Sequence, residues 1–343
     1  MPTNPLPPRI TSEEMLDEVM TTPSEALVRD LKAVDGDIII LGVGGKMGPT
    51  LARMAKRAAP EKRVVAVARF SAPGLREELE RAGVETIACD LLDRAAVEAL
   101  PKLRNVIFMA GFKFGAGGNP SMTWAMNVLV PAFVAEAFKA SRIVAFSTGC
   151  VYPFAPVGGG GSTEADAPDP PGEYAVSCLG RERMFEYHSR LYETPGVLFR
   201  LNYAIDLRYG VLPDVATKVR DGKPLDVTMG HVNVIWQGDA CAQALRCLRQ
   251  CEVPTRPINV SGQEILAVRT LAAEFGKRLG KQPIITGTES ERSWITDTSL
   301  AARLFGPPDV SLSTMLDWVA DWVAADRRSL NKPTKFEVRS GTY

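Results

Sequence analysis

Histidine is nearly missing from this chain of 343 residues: only His188 and His231 occur, and the six cysteines include no C-x-x-C pair. Zinc centres are built mostly from clustered Cys and His ligands, so no metal site is expected. A charge of one sign is missing too. Lys plus Arg and Asp plus Glu each number 40, which leaves no chain-wide basic field for nucleic acid. The longest apolar runs are strand-sized, too short to span a bilayer. The N-terminus MPTNPLPPRITSEEM has no charged region followed by an apolar one, so no secretory signal is expected. Six dispersed thiols without a pairing pattern fit a reducing compartment, and the expected location is cytoplasmic.

The chain does have ample core. Apolar residues make up 45% and charged residues 23%, an ordinary globular composition. Residues 1–34 read as an extension, Pro-rich and then helical, with Thr11/Ser12 and Ser24 as caps ahead of acidic residues. From DIIILGVGG (37–45) onward, short apolar runs alternate with helical spacing: RVVAVARF, VETIACD, NVIFMAG and RIVAFSTG each end near a polar or glycine turn. That alternation predicts an α/β fold, a Rossmann-type doubly wound parallel sheet over 35–200. After residue 200 the pattern loosens. Residues 201–330 are expected to form mainly a small C-terminal α/β substrate lobe that could return strands to the sheet, and 331–343 a tail. The Gly- and Pro-rich loop 156–173 is long for a compact domain, and such loops are often functional.

LGVGGKMG follows the first strand and opens a helix. Gly42, Gly45 and Gly48 stand in the spacing G-x-x-G-x-x-G, with Gly44 as an extra glycine and Lys46 and Met47 between. Glycines allow a sharp turn and close approach to a pyrophosphate at a helix N-terminus, so this loop is expected to bind a dinucleotide. The second strand ends VARFS, with Arg69 and no acid over 66–71. A carboxylate there would bond a ribose 2′-hydroxyl and an arginine accommodates a 2′-phosphate, which favours NADP over NAD. Asp90 and Leu91, after strand three, are expected beside the adenine.

On these segments the chain resembles the extended short-chain dehydrogenase/reductase superfamily, in particular its NAD(P)-dependent epimerase/dehydratase family of nucleotide-sugar enzymes. VIFMAGFKFG (106–115) resembles the fourth-strand segment and puts Ala110, Gly111 and Lys113 near the cofactor. WAMNVLVP places Asn127 at the helix-four asparagine. FSTGCVYP puts Thr148 at the catalytic Ser/Thr position, and EYAVSC matches Y-x-x-x-K at Tyr174 but has Cys178 where the lysine belongs. FRLNYA brings in Asn202, and the segments after it bring Arg208 and His231 toward substrate. The resemblance implies that Tyr174 is the acid/base, that Thr148 orients the substrate hydroxyl, and that the lysine position, here Cys178, faces the nicotinamide ribose. It also implies a small-molecule carbohydrate substrate, and a homodimer built on the apolar helix at 120–140.

The missing lysine poses the chemical problem. A tyrosine titrates near 10, so a nearby cation must favour its phenolate, and a thiol offers no positive charge. Lys113 is the leading substitute, and Arg181 shares the Tyr174 helix face about two turns on. The expected function is an NAD(P)-dependent epimerase, dehydratase or reductase of a sugar or sugar derivative. The alternative is a cofactor- or sugar-binding relative without turnover. The retained Thr148–Tyr174 pair favours the enzyme.

Overall fold

The computed structural model describes residues 6–113, 118–332 and 334–341. Its frame is a seven-stranded sheet. In chain order the strands are β1 (Ile38–Leu41), β2 (Val64–Ala68), β3 (Glu85–Ala88), β4 (Asn105–Phe108), β5 (Arg142–Thr148), β6 (Gly196–Leu201) and β7 (Arg256–Val260). They lie in the spatial order β7-β6-β5-β4-β1-β2-β3, and every pairing is parallel. This is the expected Rossmann-type fold. The order reverses between β1 and β4, so a crevice opens outside the carboxyl ends of those two strands, where open α/β sheets bind ligands.

The apolar runs explain the layering. Side chains alternate across a strand, so Ile38 and Ile40 enter one core and Ile39 and Leu41 the other. The first core takes Leu51, Ala52 and Ala55 from the helix Gly48–Ala58 and Ala244 and Leu245 from Gln237–Arg246. The second takes Val134 from Val130–Ala137 and Phe185 from Gly172–Tyr192. The segment read as one long helix at 120–140 is broken. Pro120–Trp124 and Val130–Ala137 flank a π turn over Ala125–Leu129. Pro131 has no N–H to give the regular ladder, which accounts for the irregular turn just before it.

A third core forms the lobe. Helices Val211–Arg220, Val268–Leu279 and Leu312–Ala324 pack around Phe275, Trp236, Trp318 and Trp322. The N-terminal helices Glu13–Thr21 and Glu25–Ala33 start at Ser12 and Ser24, whose side chains accept from Met15 N and Leu27 N. The first of them inserts Leu16 and Met20, both fully buried, into the lobe core. Arg53 and Arg57 of the Gly48–Ala58 helix bind its Asp17 and Glu18. This helix therefore joins the lobe to the sheet. Loop 156–173 hooks onto residues 291–297 through Val157 N to Glu291 O and Ser162 N to Ile295 O.

Met20→Ala should cost about 2–5 kcal/mol, the range for emptying a buried Met site. Urea unfolding would register it; a variant as stable as wild type would show that the N-terminal helix is only draped on the lobe.

Candidate active site

β1 hands the chain to its glycine loop at a point where only glycine fits. Gly42 has φ +92°, and a Cβ on it would stand 2.5 Å from Ala110 N. A Cβ on Gly48 would stand 2.0 Å from Val43 O, so the first helical turn closes directly onto the loop. Gly42, Gly48 and Ala110 thus shape the turn from behind, while Gly44, Gly45, Lys46 and Met47 line a cavity of about 750 Å³. A backbone this close-packed, turning directly into the N-terminus of a helix, fits a dinucleotide pyrophosphate.

The same cavity is lined by Gly111, Lys113, Thr148, Tyr174, Asn202 and Arg208. Four segments remote in sequence, the ends of β4, β5 and β6 and the start of the Gly172–Tyr192 helix, therefore meet at one place. Thr148 Oγ1 accepts from Cys150 N at 3.2 Å, which fixes its rotamer. Lys113 Nζ stands 5.6 Å from the centre of the Tyr174 ring. Burial pushes the Tyr174 hydroxyl well above its ordinary pKa, and Cys178 and Cys150 add to the rise. Burial pulls Lys113 down, while the two nearby thiols hold part of its charge in place. In this state Tyr174 keeps its proton.

Cys178 is fully buried and lines no part of the cavity. A cysteine side chain ends one atom beyond Cβ, and this one is hydrogen-bonded to the Tyr174 side chain. Arg181 supplies a cation close to that position. Helix side chains lean toward the N-terminus, so a residue three positions on reaches back toward Cys178. Its Nη2 donates to Asn127 Oδ1 at 2.7 Å and its Nη1 to Phe146 O at 2.9 Å. A Cβ on Gly111 would lie 2.5 Å from Nη2, so a side chain there would displace the guanidinium. The Arg181 charge works against the rise at both Tyr174 and Cys178. Asn127 is buried and holds Phe112 by both N and O, and its Nδ2 also donates to Ser177.

The next residue braces the strands. Glu182 is buried and receives Arg200 from β6 at 2.6 Å and Ser147 Oγ from β5 at 2.5 Å. Arg200 also reaches the Tyr152 hydroxyl, which donates in turn to Asn259 of β7. Burial alone would lower Arg200; the bond and charge of Glu182 more than reverse that, so it stays protonated.

Other expected residues fall elsewhere. Arg69 and Asp90 are exposed and outside the cavity lining, and Leu91 is in the core. His231 pairs with Ala267 in a two-residue ribbon away from the cavity. Arg208 lines the cavity, with its guanidinium spread over Asp206, Glu13 and Asp17. No residue of loop 156–173 lines it. Of VIFMAGFKFG, Phe114 and Gly115 lie outside the described residues. Sequence reasoning overlooked Tyr203, Tyr209 and Thr334, which complete the wall. Thr334 is held by two bonds to Asp214, and nothing in the local pattern announced it.

Residues 38–240 match the model of the NAD dependent epimerase/dehydratase family. The chain belongs to that family. It is an enzyme of the epimerase/dehydratase kind, built on the short-chain dehydrogenase/reductase fold. Among solved structures it is similar to the UDP-glucose 4-epimerase of Thermus thermophilus in complex with NAD, at 20% identity and TM-score 0.68, covering 83% of this chain and 98% of that one. It is equally similar to the UDP-glucuronic acid 4-epimerase of Bacillus cereus in complex with UDP-glucuronic acid and NAD, at 20% identity and TM-score 0.69, covering 84% and 99%. The UDP-glucose 4-epimerase of Thermotoga maritima with UDP-glucose matches at 16% identity and TM-score 0.69, covering 84% and 99%. No curated protein matches the sequence significantly. The expected preference for NADP is corrected. The family is NAD dependent, the first two of these structures hold NAD, and the Arg69 on which the NADP reading rested is exposed and lines no part of the cavity. No helix among the described residues is long and apolar enough to cross a membrane.

Glu182→Gln leaves the Arg200 charge uncompensated in the interior and should cost about 3–5 kcal/mol. Chemical denaturation tests this; a loss below about 1 kcal/mol would show that the pair is dispensable.

Proposed function

We propose that the chain is an NAD-dependent epimerase of a sugar or sugar derivative, with Tyr174 as acid/base and Thr148 as the hydroxyl that orients the reacting oxygen. The observation that carries this reading is the convergence of Thr148, Tyr174 and Lys113 on the cavity lined by the glycine loop. NAD, when bound, supplies the hydride acceptor and donor. Gly44, Gly45 and Met47 would hold its pyrophosphate, and Gly111 and Lys113 would lie toward its ribose. UDP-sugars, the ligands of the similar epimerases, are the first substrates to try.

The chain's own residues handle the proton. A substrate carbinol bonded to Thr148 Oγ1 and Tyr174 Oη loses its proton to the tyrosine as the C–H bond breaks, and regains it when the carbonyl is reduced. The resting phenol is set for the second half. For the first half the phenolate must be stabilised, and two cations are at hand. Lys113 stands over the ring, and Arg181 acts on the hydroxyl from a buried, hydrogen-bonded position. Together they take over the charge of the lysine absent at 178.

Met122, Trp124 and Leu129 on the 120–137 segment, and Val176 and Leu191 on the Gly172–Tyr192 helix, are large exposed apolar residues. Two neighbouring helices with such a face support a homodimer built by packing them against a second copy.

Reduced-nicotinamide fluorescence would measure binding, and a product assay on UDP-sugars and free sugars would measure epimerisation. Tyr174→Phe should lower kcat by about 10²–10⁴ with the NADH Kd unchanged. Lys113→Met and Arg181→Met should each lower kcat by about 10²–10³. Undiminished turnover in Tyr174→Phe would contradict the assignment.

A further inference from the structure

The cavity wall carries an ammonium group that its own neighbours leave undersupplied. Lys46 follows the Gly44–Gly45 pair of the loop and points away from the loop toward the lobe. Among the described residues its Nζ makes a single hydrogen bond, to Ala204 O at 3.3 Å, and it sits 3.7 Å above the centre of the Tyr209 ring. The carboxylates of the same wall are engaged by other groups. Glu13, Asp17 and Asp206 hold Arg208, and Asp17 and Glu78 hold Arg53. Arg328 also binds Glu13. Asp206 attracts Lys46 across the cavity edge without forming an ion pair with it. Lys113 and Arg208 work against its charge. An ammonium with three donors, one long bond and a second cation nearby is the complement of an anion.

We infer that the substrate is an anionic carbohydrate, a sugar bearing a carboxylate or a monophosphate, and that Lys46 binds its charged group while the reacting carbinol lies at Thr148 and Tyr174. This rests on the proposed function of the same cavity. A charge-assisted bond from an ammonium at a desolvated site is worth roughly ten- to a hundredfold in affinity. The setting also fixes a pH dependence. Burial brings Lys46 down to about 7 against the pull of Asp206 and Cys241, with Lys113 and Arg208 pushing the same way as burial. Its positive charge is present below that value and is lost as pH rises through it, so binding of an anion weakens on the alkaline side. Arginine keeps its charge throughout.

The experiment is calorimetric titration of the full chain saturated with NADH, using galacturonate against galactose and glucose 6-phosphate against glucose. The expected result is that at least one anion binds about tenfold or more tightly than its neutral partner at roughly pH 6.5. That ratio shrinks by about pH 8.5 in wild type. Lys46→Met brings it near one at both pH values, and Lys46→Arg restores it and removes the pH dependence. The carboxylate and phosphate arms tell which group is read. Equal affinity for charged and neutral sugars overturns the inference while leaving the epimerase reading intact. A Lys46→Met variant that loses NADH affinity but keeps the sugar ratio also overturns it, because the ammonium then serves the cofactor's pyrophosphate. Failure of wild type to bind NADH would count against the epimerase reading itself. In that case the same titrations without cofactor decide the anion preference.

Discussion

The arrangement of this site depends on two consecutive charged residues in the middle of one helix. Arg181 and Glu182 leave the Gly172–Tyr192 helix in different directions. Arg181 ties it to Asn127 and to the β5 carbonyl of Phe146; Glu182 ties it to Ser147 of β5 and Arg200 of β6. Buried charges without partners are prohibitively costly, so the helix can dock on the sheet only in the register that satisfies both. That register is what brings Tyr174 to the wall of the cavity that Thr148 also lines.

The same docking explains how a cysteine is tolerated where a lysine would be expected. A lysine at 178 would have to share its surroundings with Arg181 on one side and Lys113 on the other. In the proposed mechanism the positive charge comes from neighbouring positions, one over the tyrosine ring and one further along its helix. Gly111 leaves room for this arrangement: a side chain there would push against the Arg181 guanidinium.

What was legible in the sequence was local. The glycine loop, the strand alternation and the 26-residue spacing of Thr148 and Tyr174 are set by turn geometry and short-range periodicity, and all three survive in the structure. What was not legible depended on direction and on long-range pairing. Arg181 looked two turns distant because its number says nothing of the backward lean of helical side chains. Arg69 looked like a phosphate ligand because the end of β2 is the right place in the chain, yet its side chain is exposed outside the cavity. Arg200 reads in the sequence as a basic residue offered to substrate, and Glu182 and Tyr152 carry no signal singly; only the parallel order β5-β6-β7 brings the three into one network. The N-terminal segment reads as helical in the sequence, but the burial of its first helix in the lobe core depends on partners nearly two hundred residues away.

The central claim is that the charge of the absent lysine has been moved rather than lost. Cys178→Lys tests it most directly, with kcat/KM for epimerisation measured alongside thermal stability. If Lys113 and Arg181 already supply the charge, a third cation crowds the site, and kcat/KM stays level or falls while stability drops. A folded variant whose kcat/KM rises about tenfold or more would contradict the account and show that the site lacked a charge that only position 178 could provide.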